Sequence, residues 1–582
     1  MGETAVSAAL SPPQTSVSDA SRLEQPQRLR PPRVRIFLWL LAIALGAAQA
    51  WATRFTMNPD GISYLDMGDA YWRGNWHMAI NAYFSPFYSW ILGFFMKVLK
   101  PSPYSEYPLA HLVNFLIYLA ALGCFEFFLR NFIRSRRHSD ENARKQGNVT
   151  LPEWGWWMLG YALFIFASLQ LITLRLITPD MCVAAFVYLA SALILQIQTG
   201  AGTLRTVMFL GIVLGLAYLA KAVMFPLALV FIAVAGCCAH NVRQGVRYAA
   251  MAVFGFLLIA SPFITILSRS KHRVTFGDSG SIAYEVYVNG VDQFVPASSS
   301  LKHPINKIHD MPPTYKFGGP IEGTYPLWYD STYWHEGIRP YFDLAQQFHA
   351  IAASLVTYWR QFCSVFLQLN ATVALFVLYL IAPRSSACLK CAGASWPLLV
   401  IGLAAMGLYA LVYAESRYFA PFIVLFWLAA FSGVHLPHSR GLVRTIAVVV
   451  VAVSITSIAQ TAWNTPSEAP STADYYRLAT ALRDYGITRG SKLAVIGTEP
   501  FGKSGAFSAR LARAQIVAQI RSSDLFWAAP AVTRAGILHA LARAGAQTIL
   551  ASDVPTSADL STGWHRLGTS TDYIHVFGRD DQ

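Results

Sequence analysis

Nine ionisable residues fall at the edges of apolar stretches: Asp60, Asp66, Asp69, Arg175, Asp180, Lys221, Arg269, Glu415 and Arg417. A charged group at membrane depth or at the membrane boundary is a functional candidate by default, because moving it into hydrocarbon is costly. The types are also chemically suggestive. A carboxylate can take the proton of an attacking hydroxyl. Arginine or lysine can hold the negative charge that builds on a departing phosphate. Together they suit transfer of a phosphate-linked group to a hydroxyl at a membrane surface.

The elements that must position these groups are read from hydropathy. The chain has 582 residues, 54% hydrophobic and only 13% charged, against about 25% charged in soluble domains. Apolar runs of about 18 residues or more recur, each long enough to span a bilayer. The net charge of +14 sits mostly in short loops between those runs, as the positive-inside rule expects. No aromatic-basic pattern points to nucleic acid. The seven cysteines are scattered, and Cys388 and Cys391, a C-x-x-C near the level of Cys237 and Cys238, read as small apolar positions rather than a zinc site.

Counting sides by the basic loops gives the domain plan. Residues 1–33, rich in Ser, Pro and Gln, read as a disordered cytoplasmic tail, and Arg28, Arg30, Arg33 and Arg35 keep the N-terminus inside. Residues 34–460 read as a helical transmembrane domain of about eleven spans. Outer loops fall at 54–105 and 268–350. Within the first, Phe84–Leu99 reads as an interfacial helix. The loop at 268–350 is too long for a mere connection. The tail, 461–582, reads as a small extracytoplasmic α/β domain: helix at Tyr475–Tyr485, strand at Lys492–Gly497, helix at Ala531–Ala544 ended by Gly545, strand at Thr548–Ala551. Gly497-Thr-Glu-Pro-Phe-Gly502 is not a dinucleotide fingerprint, so no cofactor is assigned to it.

On this plan all nine ionisable residues lie on the outer side. A transporter would scatter them across the midplane beside broken helices.

The motifs around these positions resemble the GT-C superfamily of glycosyltransferases, which includes protein O-mannosyltransferases and the aminoarabinose transferases of lipid A. Asn58-Pro-Asp-Gly-Ile-Ser-Tyr-Leu-Asp66 is similar to the acidic segment after the first span, with Gly61 where a second acid often stands. Tyr83-Phe-Ser-Pro-Phe-Tyr-Ser-Trp90 looks like the interfacial helix. Thr178-Pro-Asp180 resembles the acid of the second outer loop, Gly215-Leu-Ala-Tyr-Leu-Ala-Lys221 the segment ending in a base, and Glu415-Ser-Arg-Tyr-Phe-Ala-Pro421 an element near a late span. The resemblance covers roughly residues 35–435. It implies an inverting transfer of a sugar from a polyprenyl-phosphate donor to a lipid, glycan or protein acceptor, with no nucleotide-sugar site.

Each position also has a plainer reading. Asp60 is expected as the catalytic base, against a helix cap after Pro59. Lys221, Arg175 and Arg417 are expected at the donor phosphate, against snorkelling anchors or a local pair of Arg417 with Glu415. Tyr64, Asp66, Asp180 and Glu415 are expected in support, although Asp66 and Asp69 read more readily as a solvated helix face, and Asp180 reads equally as a helix-start residue. Trp328, Tyr329 and Trp334 are expected at the acceptor or in a lid, against an aromatic interface belt. No residue set specifies a metal, although the chemistry admits a divalent cation. A bacterial inner membrane is the expected location, with the N-terminus cytoplasmic and the C-terminus periplasmic. The alternatives from other classes are a lipid or glycan flippase and a non-catalytic membrane scaffold.

Overall fold

A computed structural model of the chain describes residues 31–145, 151–317, 319–364, 395–433, 473–497, 505–552 and most of 554–577, with a few short pieces elsewhere. The tail before residue 31, the end of the eighth expected span with Cys388 and Cys391, most of the eleventh, and Gly502 with the residues just before it lie outside them.

The helices follow the apolar runs. They are α1 (Pro31–Ala52), α2 (Pro59–Arg73), α3 (Trp76–Ala79), α4 (Pro86–Leu99), α5 (Glu106–Lys145), α6 (Glu153–Phe166), α7 (Asp180–Gln198), α8 (Leu204–Ala220), α9 (Met224–Cys237) and α10 (Val242–Ser270). Then come α11 (Ser279–Tyr287), the short α12 (Pro326–Tyr329) and α13 (Ser331–Trp334), α14 (Leu344–Ser364), α15 (Trp396–Ala410) and α16 (Ser416–Ser432). Among the described residues, five helical stretches are long and apolar enough to cross a membrane, the first being Arg33–Ala52 and the last Val242–Ser270. Five shorter apolar helices accompany them, α4, α8, α9, α15 and α16. By length and composition this is an integral membrane protein.

Helix α4, Pro86–Leu99, falls where an interfacial helix is expected. It touches α2 backbone to backbone: a Cβ on Gly68 would sit 2.9 Å from the Ser89 carbonyl oxygen, and one on Gly93 2.7 Å from that of Gly68. That contact fixes the height of α2, the helix that begins with Pro59 and Asp60.

A second unit holds a seven-stranded sheet. Its strands are β1 (Asn306–His309), β2 (Thr314–Lys316), β3 (Lys492–Ile496), β4 (Gln515–Ile520), β5 (Thr548–Ala551), β6 (Trp564–Arg566) and β7 (Tyr573–Val576), with helices α17 (Ala473–Asp484), α18 (Gly505–Ala512), α19 (Ser523–Ala528) and α20 (Ala531–Arg543) between the later ones. The spatial order is β1-β2-β4-β3-β5-β7-β6. The three central strands are parallel and the flanking pairs antiparallel. Strands β3 and β5 and helix α20 fall where the sequence pattern puts them, with Gly545 at φ 93° just past α20.

The sheet is not made from the tail alone. Two strands come from the segment at 268–350, expected from the sequence as an outer loop, and Thr314, Tyr315 and Lys316 pair with Ile520, Gln519 and Ala518. Without them β4 would leave an open edge of unpaired backbone groups. The loop and the tail therefore form one folded unit.

Candidate active site

Asp60 is the second residue of α2, behind Asn58 and Pro59. Its position is fixed from below. Asn58 Oδ1 accepts from the Ile177 N–H at 2.7 Å, which ties the start of α2 to the turn before α7. The same turn is held by Gln49, whose Nε2 donates to the Leu169 carbonyl and whose Oε1 accepts from the Leu174 N–H. Thr56 Oγ1 donates to the Arg175 carbonyl at 3.2 Å, and Asn114 Nδ2 donates to that of Leu176 at 2.8 Å. The His111 ring lies 2.9 Å from both the Leu174 and Thr56 carbonyls. Gln49, His111 and Asn114 on two spans, with Thr56 and Asn58 in the link between α1 and α2, thus shape the backbone that carries Asp180. Apart from Asn58, sequence reading missed them; the only signal was polar side chains inside or just beyond apolar runs.

The result is one connected set of charges. Arg417 lies in the first turn of α16, and its Nη1 is 3.3 Å from Asp60 Oδ2 and 3.7 Å from Asp180 Oδ2, while its Nε is 2.9 Å from Glu415 Oε1. Lys221 breaks the chain between α8 and α9 in an extended conformation, and its Nζ donates to Asp180 Oδ1 at 2.6 Å. That Nζ also stands 3.5 Å from the centre of the Tyr418 ring. Five residues chosen from the sequence, from four separate helix ends, are therefore within one network. Asp180 is its buried floor at 3% side-chain exposure, and Asp60, Lys221 and Glu415, at 21, 23 and 31%, form its open rim. Three carboxylates share two cations, so an incoming phosphate would have to take Lys221 and Arg417 over from carboxylates already in place.

The other candidates lie elsewhere or do other work. Tyr64, one turn after Asp60, is buried edge-on between Phe84 and Tyr88 at 4.9 and 5.1 Å and locks α2 to α4. Arg175 takes part through its backbone carbonyl, as above. Tyr329 and Trp334 are buried: the Tyr329 hydroxyl donates to the Met78 carbonyl at 2.6 Å and the Trp334 indole to that of Pro326 at 3.0 Å. Trp328 is half-buried and stacks on Phe294 at 5.5 Å.

Asp66 belongs to a second network. Arg510, on the fully buried helix α18, places Nη1 2.6 Å from Asp66, Nη2 3.0 Å from Asp69 and Nε 2.6 Å from Glu106. Arg513 adds bonds to Glu106 and, at 3.5 Å, to Asp69. Thr324 donates its N–H and Oγ1 to Asp66 at 2.7 and 3.0 Å. Burial pushes the Asp69 carboxyl up, but Arg510, Arg513 and Arg73 outweigh it and hold the group below the usual carboxylate range. This network docks the sheet unit on α2 and on the start of α5. Asp66 and Asp69 are thus not a solvated helix face. Glu106, Arg510 and Arg513 escaped sequence reading, although arginines inside the apolar run from Ala506 to Ala514 were a visible clue.

Among the described residues, no group of three or more His, Cys, Asp or Glu is placed to hold a metal ion.

No family model matches this chain, and no curated protein does. Solved structures are similar to it over most of its length. ArnT from Cupriavidus metallidurans bound to undecaprenyl phosphate is 12% identical, with 92% of this chain and 97% of that chain covered and a TM-score of 0.49. The Archaeoglobus fulgidus oligosaccharyltransferase tethered with an acceptor peptide is 10% identical, with 90% and 69% covered and a TM-score of 0.48. Both are members of the GT-C superfamily.

Proposed function

We propose that this protein is an inverting glycosyltransferase that moves a sugar from a polyprenyl-phosphate donor to a hydroxyl at the outer surface of the membrane. The observation that carries the reading is the single network of Asp60, Arg417, Asp180, Lys221 and Glu415, open on one side. Asp60 takes the proton of the acceptor hydroxyl as its oxygen attacks the anomeric carbon. The bond from that carbon to the phosphate oxygen breaks, and its electron pair leaves with the phosphate. Lys221 and Arg417 hold the charge that collects there. Asp180, buried beneath both cations, keeps them aimed at one point. Arg175 is a further donor-side candidate, and Trp328, the one partly exposed member of its aromatic trio, the acceptor-side one. In this reading the fold spans the membrane about eleven times, and the sheet unit stands outside, in the periplasm of a bacterial inner membrane.

The test is transfer by the purified protein from a panel of polyprenyl-phosphate sugars, with membrane extract as acceptor, for the wild type and Asp60→Asn. Transfer that falls at least a hundredfold in a folded Asp60→Asn protein, about the range of a positioned base, supports the reading. Undiminished transfer removes Asp60 from the role, and no transfer from any donor removes the reaction.

A further inference from the structure

At the open rim of the charged network two tyrosines from distant parts of the chain lie face to face. Tyr287 ends α11, and Tyr413 lies in the turn between α15 and α16. Their rings stack at 4.0 Å with 7° between planes. Both are exposed, at 45 and 37%. The pair adjoins the catalytic groups: Tyr413 packs edge-on against Tyr418 at 6.4 Å, and Tyr418 is the ring that carries Lys221. Glu415 follows Tyr413 by two residues. Asp60, Glu415 and Arg417 lie near enough for their charges to act on the Tyr287 phenol.

The α11 side of the pair is tied to neighbouring segments. Glu285, in the same helix as Tyr287, meets His335 at 3.1 Å, both almost wholly buried. Tyr284 donates to Gln347 at 2.9 Å, and Asn289 donates to the Tyr341 carbonyl and to Gln346. Each ring covers one face of the other, and the rest of the pair stays exposed beside the charged network.

We propose that the Tyr287–Tyr413 stack and Glu415 form the subsite for the sugar ring of the donor. The face of an aromatic ring is electron-rich and attracts the polarised C–H bonds on the flat side of a sugar. Glu415 accepts hydrogen bonds from the hydroxyls at the ring edge. An isoprenoid tail would gain nothing from the carboxylate or the two phenol rims, so the occupant is hydroxylated. The cations lie where the phosphate joined to that ring must lie. This inference rests on the transferase reading above and adds the part of the site that selects the sugar.

The experiment measures binding to full-length protein in nanodiscs. The probes are undecaprenyl phosphate and undecaprenyl phosphate carrying glucose, mannose, galactose or arabinose. The proteins are the wild type, Tyr287→Leu, Tyr413→Leu and the corresponding phenylalanine variants, each checked for an unchanged melting profile. The wild type is expected to bind at least one glycosylated carrier about tenfold more tightly than the bare one, a difference of about 1.4 kcal/mol. The leucine variants lose that preference and keep their affinity for the bare carrier, and the phenylalanine variants keep both. Equal binding of all carriers by the wild type, or a preference that survives both leucine substitutions, overturns the sugar subsite and leaves the transferase reading intact. A wild type that binds no carrier at all overturns both.

Discussion

Replacing Arg510 with methionine preserves bulk and removes the charge that three carboxylates share. Arg513 still reaches Glu106 and Asp69, so the stranded group is Asp66, left with the two bonds from Thr324. Breaking a buried ion pair from one side costs about 3–5 kcal/mol, because the remaining charge has no counter-ion. At 1.4 kcal/mol per tenfold, detachment of the sheet unit should become about a hundred to several thousand times more frequent. The assay is the rate of tryptic cleavage within residues 473–577 of nanodisc-embedded protein, at protease levels where cleavage follows the open population. Arg510→Met combined with Asp66→Asn should recover a large part of the loss, since the stranded charge is then gone. A cleavage rate within about threefold of the wild type, a change of roughly 0.7 kcal/mol, would refute the account of docking. So would a double variant no better than Arg510→Met alone.

Three further outcomes follow from the geometry. Asp69 is held below the usual carboxylate range, so its contribution to docking is present above the pKa of the unfolded group and is lost as pH falls through the lowered, folded value. The melting temperature of the wild type should therefore exceed that of Asp69→Asn near neutrality, and the gap should close in acid; a gap constant with pH contradicts it. Gly68→Ala puts a methyl group 2.9 Å from the Ser89 carbonyl oxygen and should cost about 1–3 kcal/mol by forcing α2 from α4, seen as a lower melting temperature. Lys221→Met removes the cation nearest Asp180 and should weaken undecaprenyl-phosphate binding about tenfold or more, a loss of at least 1.4 kcal/mol, with titration in nanodiscs as the check.

Much of the first network was legible because membrane proteins write sidedness into composition. Basic loops set the alternation, and alternation put Asp60, Asp180, Lys221, Glu415 and Arg417 on one side before any contact was known. Each also stands at a helix end, where propensity breaks: Pro59 before Asp60, Pro179 before Asp180, and the extended Lys221 between α8 and α9. The residues that shape the site were not legible. Gln49 meets Leu169 across 120 positions and Asn58 meets Ile177 across 119, and no periodicity encodes such partners. Arg510 was hidden differently. A guanidinium on the apolar face of a helix is anomalous until its carboxylates are known, and Glu106 lies 404 positions away. The two strands at 306–316 were missed because they are short and mostly polar, half-exposed along their length, whereas the equally short β5 is apolar and buried throughout.

The sheet shared by the segment at 268–350 and the tail imposes an order on synthesis. Strand β2 must wait for β4, and about 200 residues separate Lys316 from Gln515. At roughly 5–20 residues per second the ribosome needs about 10–40 s to supply that partner. Throughout this interval the helices downstream are inserting while β2 offers an unpaired edge to any neighbouring chain. A nascent chain cut short before β4 keeps most of its apolar helices yet never closes that edge. Premature termination would then leave a membrane-inserted product prone to aggregation, and the last strands made decide whether everything before them is usable.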